Sequence, residues 1–234
     1  MLKSMILKFI YPDRCAVCGE ILPFGAKGYV CKTCSEADLI NTGVKYVLKK
    51  NLSGGNDVYY ESENVPVYFY EGLSVFPYKI VKGSIHILKY YGGRINVKPY
   101  SEILLDYIKL RGSEILKKSD IVTYVPMYHH KERERGYNQA KLLALEFSKL
   151  INKPCEKLLV KVFANESQSK LTAEERVKNV KGAYAPAKKC SLNGKTILIV
   201  DDVFTTGSTL NECSKILLEM GAEKVYFLTF AYAN

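Results

Sequence analysis

The stretch ILIVDDVFTTGSTL, residues 197–210, constrains this chain more than any other. Ile197 to Val200 is a short, unbroken, β-branched aliphatic run, the composition of a strand buried on both faces of a parallel sheet. Asp201 and Asp202 follow at once, then the small residues Thr205 to Thr209. Leu210, Cys213, Leu217 and Met220 come next at helical spacing, with Gly221 as the stop. Strand, loop and helix in that order put the loop at the carboxyl end of a strand, where open α/β sheets take their ligands. Gly207 admits close backbone approach, and Thr205, Thr206, Ser208 and Thr209 offer hydroxyls. Free N–H groups at the helix start favour an anion. Two carboxylates beside that anion repel it unless they face sugar hydroxyls or a Mg²⁺ already bound to phosphate. The implied ligand is a phosphorylated sugar.

A nucleotide-binding alternative fails on spacing. The Gly-Lys-Thr at Gly194–Thr196 precedes a strand instead of following one, and Lys189 stands where a Walker A loop needs glycine. The 197–209 stretch instead resembles the ribose-phosphate-binding signature of type I phosphoribosyltransferases: aliphatic strand, two acids, then Thr-Thr-Gly-x-Thr. The resemblance implies that Asp201 and Asp202 bind the ribose 2′ and 3′ hydroxyls of phosphoribosyl pyrophosphate and that the loop cradles the 5′-phosphate. Phe204 departs from the pattern, since a smaller aliphatic residue is usual there.

At the other end of the chain, Cys15, Cys18, Cys31 and Cys34 form two C-x₂-C pairs separated by twelve residues. Each pair can chelate a tetrahedral metal from a tight turn, and Gly19 suits such a knuckle. No export signal accompanies them, because Lys3 and Lys8 break the N-terminal apolar run and no small-residue cleavage site follows. A disulfide framework is therefore disfavoured, and the expectation is one structural Zn²⁺ in a small module whose folding energy comes from the metal. Four thiolates complete the coordination sphere, which excludes a catalytic role. Cys213, on the apolar stripe of the last helix, reads as core.

No apolar run approaches the ~20 residues of a membrane span, so the chain is expected to be cytoplasmic. Its net charge is +10. Between Lys153 and Lys195 ten Lys/Arg face four Glu. Polyanions are natural partners for such a surface, single-stranded DNA among them.

Strands alternating with helices predict an α/β fold, a parallel sheet flanked by helices, with the small four-cysteine zinc module at the N-terminus. The expected divisions are a zinc module at 1–40, a linker, hairpin and helical segment at 41–118, and the α/β core at 119–234. The hairpin is placed around Glu71-Gly72, helices over KIVKGSIHILKYYGG and YSEILLDYIKLRG, and strands at IVTYVP, KLLVKVF and KVYFLTF. MYHHKERERGYNQ reads as a loop, and 164–185 as a mobile lid.

Three further stretches resemble the ComF (ComFC-like) competence family, which joins a zinc module to a phosphoribosyltransferase-like domain. They are Val125-Pro126 with Arg133-Glu134-Arg135-Gly136-Tyr137-Asn138-Gln139; Gln168, Leu171, Arg176 and Asn179; and Lys89-Tyr90. The resemblance implies a role in DNA uptake during natural transformation, beside a helicase and other competence proteins. Phosphoribosyl transfer breaks the C1–O bond and releases diphosphate, so the protein must supply cations and N–H groups around the leaving group. Arg133 and Arg135 are the candidates, since guanidinium suits bidentate phosphate contacts. Asn138, Gln139, Gln168, Arg176 and Lys89 are further candidate contacts to the sugar phosphate. Two readings stay open: a transferase using phosphoribosyl pyrophosphate with Mg²⁺, and a nucleic-acid-binding module whose pocket senses ligand or grips DNA without turnover.

Overall fold

The computed structural model describes residues 12–24, 26, 28–37, 42–47, 57–59, 66–90, 97–164 and 180–233. Within them the chain runs α1 (Lys32–Glu36), β1 (Val44–Val47), β2 (Asp57–Tyr59), β3 (Glu71–Pro77) and α2 (Tyr78–Tyr90). It continues through α3 (Val97–Arg111), α4 (Ser113–Lys118), β4 (Ile121–Tyr124), α5 (His129–Arg135) and α6 (Gln139–Leu150). The last elements are β5 (Leu159–Lys161), β6 (Tyr184–Pro186), β7 (Thr196–Phe204), α7 (Ser208–Glu219) and β8 (Lys224–Tyr232).

The main sheet has the order β2-β1-β3-β8-β7-β4. From β3 to β4 every pairing is parallel, as expected of strands joined through helices. β7 and β8 lie inside the sheet, which is why they carry unbroken apolar runs. The sheet as a whole is mixed, because β1 runs antiparallel to β3.

Side chains alternate across β7. Leu198 and Val200 join the core under α2, α3 and α6, with Ile85, Leu104 and Phe147. Ile197 and Ile199 join the core on the other face, under α7 with Leu210 and Leu217. Each helix buries one stripe: α2 buries Val81, Ser84, Ile85 and Leu88 at helical spacing. Asn138 caps α6, its Oδ1 accepting from Ala140 N at 2.9 Å and Lys141 N at 3.4 Å.

Several expectations change. The hairpin at Glu71-Gly72 is instead a single strand, β3. Gly72 is there for packing: a Cβ on it would meet the Phe227 ring at 2.0 Å. KLLVKVF gives only the short β5, which pairs with β6 in a separate two-stranded antiparallel sheet and not with the main one. The loop after β4 contains the helix α5, ended by Gly136 in the left-handed region at φ 83°. Cys213 is fully buried, as its position on the α7 stripe predicts.

Candidate functional site

Asp201 and Asp202 lie in the carboxyl-terminal half of β7, beyond the aliphatic run. Alternation carries Asp202 to the face of Val200, the face covered by α2. There it meets Lys89, from the final turn of α2: Nζ lies 2.7 Å from Asp202 Oδ2. The Asp202 side chain is 7% exposed and that of Lys89 26%. Burial opposes both charges, yet the Lys89 ammonium holds the Asp202 carboxyl below the usual carboxylate range. Burial likewise works against the ammonium, and the Asp202 charge outweighs it, raising Lys89. Asp201 feels the Lys89 charge only as a lesser influence. Burial, and then the negative charge of Asp202, push it well above the ordinary value. The pair therefore holds one firm carboxylate and one easily protonated carboxyl.

Beyond the acids, Gly207 sits at φ 72° and caps α7, a left-handed turn that other residues adopt at a cost. Thr205, Gly207 and Thr209 line a cleft of about 360 Å³ together with Asp201, Asp202 and Lys89. Thr206 and Ser208 are not part of its wall; their hydroxyls lie 2.7 Å from each other. Phe204, the departure from the usual pattern, points into an aromatic stack. Its ring is 4.2 Å from Tyr46 and 5.1 Å from Phe227, so it belongs to the core beneath the loop.

A second cleft, of about 430 Å³, shares Lys89, Asp201, Asp202 and Thr209 with the first. Lys131, Arg135 and Lys161 supply its positive charge, and Tyr90, Tyr128 and Tyr184 its aromatic walls. Arg135 lies over the Tyr90 ring at 5.0 Å and donates to Gln139 Oε1 at 2.6 Å. Lys161 lies over Tyr184 at 5.4 Å; burial and the nearby Lys131 charge lower its pKa. Asn138 lines this cleft, but its amide is committed to the α6 cap and to the Val125 carbonyl at 3.0 Å. Arg133 is exposed on α5 and borders neither cleft. Gln168 and Arg176 lie outside the described residues, as does most of the expected lid. Tyr78, Tyr128, Lys131, Lys161 and Tyr184 were not singled out by sequence. No motif marks them, because they meet only through the fold.

The four N-terminal cysteines converge, every Sγ within 4.8 Å of the others. Cys18 Sγ and Cys31 Sγ are 3.8 Å apart, the edge of a tetrahedron with Zn–S bonds of about 2.3 Å. Backbone N–H groups aim at the sulfurs: Val17 and Cys31 donate to Cys15 Sγ at 3.4 and 3.3 Å. All four are unpaired thiols. The set fits a closed zinc site. Its knuckle rests on α2, where Ser84 Oγ donates to the Ala16 carbonyl at 2.5 Å. Cys15, Ala16 and Val17 are part of the same buried core as Leu198 and Val200. Among the described residues no helix is long and apolar enough to cross a membrane.

With this geometry in view, comparisons with known proteins add the following. Residues 134–234 match the family described as phosphoribosyl transferase domain. The chain is similar to Competence protein F of Haemophilus influenzae, 40% identical over 112 residues, covering 47% of this chain and 49% of that one. DNA utilization protein YhgH of Escherichia coli is 32% identical over 126 residues, 53% of this chain and 54% of its own. Competence protein ComFC of Bacillus subtilis is 35% identical over 104 residues, 44% of this chain and 40% of its own. The matches thus span about half the length of these relatives. Among solved structures, purine phosphoribosyltransferase from Pyrococcus horikoshii Ot3 aligns over 60% of this chain and 74% of that chain at 16% identity, with a TM-score of 0.37.

Proposed function

We propose that this protein binds phosphoribosyl pyrophosphate, or a related sugar phosphate, with Mg²⁺ in the cleft at the end of β7, and serves DNA uptake during natural transformation. The observation that carries the reading is the junction of β7 and α7, where an acidic pair and a Gly207-capped hydroxyl loop share one cleft. In this reading the Asp202 carboxylate accepts from a ribose hydroxyl, Asp201 exchanges a hydrogen bond with its neighbour, and Thr205 to Thr209 surround the 5′-phosphate. Arg135 and Lys131 face the diphosphate from the second cleft. Mg²⁺ carried in with the diphosphate would supply charge neutralisation for the leaving group. Zn²⁺ in the four-cysteine site has a structural role.

The same reading divides the chain into a metal module at 1–40, a connecting segment at 41–118 that lends Lys89 to the site, and the core at 119–234. The similarity to proteins named for competence and DNA utilization supports a role in DNA handling, and a cytoplasmic place beside a helicase and other uptake proteins is part of the same proposal. A second reading, binding of single-stranded DNA without turnover, draws on the tyrosines and cations of the second cleft.

Calorimetric titration with phosphoribosyl pyrophosphate and Mg²⁺, followed by assay of diphosphate release with candidate acceptors, separates these readings. Binding with release that Asp202→Asn abolishes makes the protein a transferase. Binding without release, together with DNA affinity that falls steeply with salt, supports the second reading. No binding of the sugar phosphate at millimolar concentration overturns the proposal.

A further inference from the structure

Lys89 stands where the two clefts meet, and its surroundings hold it there. It belongs to a rigid helix, not to a loop. On one side Leu88 is fully buried and its carbonyl accepts from the Tyr137 hydroxyl at 2.8 Å. On the other, Tyr90 lies beneath the Arg135 guanidinium at 5.0 Å. Arg135 donates to Gln139, and Gln139 in turn supports the Asp202 carboxylate. Tyr90, Arg135, Gln139, Asp202 and Lys89 thus close a ring of contacts around the acid. A cation at a helix C-terminus is also favoured there by the carbonyl dipoles.

We propose that Lys89 is a positioning residue that gives the site its selectivity for a sugar bearing the ring hydroxyl that faces Asp202, by holding the Asp202 carboxylate in one orientation toward the ring. This inference rests on the sugar-phosphate reading above. Asp202 Oδ2 is buried and its near neighbour is the Lys89 ammonium, so that oxygen is spent on the ion pair. Gln139 and Asp201 also bond the carboxylate, so its orientation is set from several sides and a ligand hydroxyl meets its remaining lone pairs. A carboxylate with one oxygen anchored presents the second at a set position, and a sugar lacking the hydroxyl leaves it desolvated and unmatched. Discrimination of this kind comes from the unpaired polar group, not from added affinity for the rest of the ligand. The Thr205–Thr209 loop takes the phosphate in this reading, and a deoxy sugar phosphate keeps that group, so the two affinities separate.

The test is calorimetric titration of the full chain with ribose 5-phosphate and with its 2-deoxy and 3-deoxy analogues. The wild type is expected to prefer ribose 5-phosphate over at least one deoxy analogue by about tenfold, one hydrogen bond to a charged group. Lys89→Met should bring that ratio near one, and Lys89→Arg, which keeps the cation, should restore part of the preference. Lys89→Gln, one atom shorter but still a donor, should give an intermediate ratio, and it serves if the methionine variant does not fold. An unchanged ratio in Lys89→Met or Lys89→Gln overturns the proposal, as does equal affinity of the wild type for all three sugars. Equal loss for every sugar in the variants also overturns it and assigns Lys89 to the phosphate. Wild-type protein that binds none of the three overturns the sugar-phosphate reading itself, and the inference with it, a result distinct from the others.

Discussion

Adjacent acids with opposite environments should respond oppositely to the same substitution. Asp201 is raised by burial and by its neighbour's charge, so its ionised form works against folding. A raised carboxyl binds more protons folded than unfolded, and its contribution to stability declines as pH rises above the ordinary carboxylate value. Asp201→Asn should therefore raise the melting temperature of the ligand-free protein at neutral pH while weakening sugar-phosphate binding. Asp202 is lowered by Lys89, so its contribution is full at neutral pH and is lost as pH falls through its folded value. Asp202→Asn should lower stability by ~1–3 kcal/mol, the cost of leaving a charged donor without its acceptor. Thermal melts of both variants at neutral pH check the pair, and equal shifts would contradict the assignment. At Gly207, φ 72° makes a Cβ cost about 1–2 kcal/mol, so Gly207→Ala should lower the urea midpoint and distort the phosphate loop.

Helix α2 does two jobs along its length. Its middle receives the four-cysteine knuckle, and its end delivers Lys89 to Asp202. Ser84 is fully buried, with Oγ bonded to the Ala16 carbonyl and 2.8 Å from the Tyr100 hydroxyl. Gly83 lets the two backbones approach, a Cβ there meeting the Cys18 carbonyl oxygen at 3.0 Å. Ser84→Ala should cost ~1–3 kcal/mol, because a buried carbonyl loses its donor. It should also speed metal release to a chelator, measured by the absorbance of a zinc-binding dye. A variant that loses stability but keeps the wild-type release rate would show that the knuckle does not depend on α2.

Across the whole molecule, the cysteine module and the sheet share a core, with Cys15, Ala16, Val17 and Leu22 packed among residues of α2, α3 and β7. A separate module would melt separately. A shared core predicts that chelating the metal, or Cys15→Ser, lowers the melting temperature of the entire chain in a single calorimetric transition. For a protein of this size the shift is roughly 2–4 °C for each kcal/mol lost. Two resolved transitions, the second at the wild-type temperature, would show the module to be independent.

Local sequence determined the elements whose signal is local. The aliphatic run of β7 followed by the α7 stripe, and the spacing of Cys15, Cys18, Cys31 and Cys34, read correctly, because neighbouring residues supply their periodicity and chelate rings. The 197–209 stretch also placed a small-residue loop between a strand and a helix, as β7 and α7 are arranged. What the sequence could not express were relations between distant segments. Gly72 looked like a turn and is a seat for Phe227. Phe204 looked like a departure and is one layer of an aromatic stack with Tyr46 and Phe227. The helix-face lysine at position 89 was indistinguishable from a solvated one until α2 packed against β7 and brought it to Asp202. Burial and partner identity depend on which surfaces meet, and only the tertiary structure decides that.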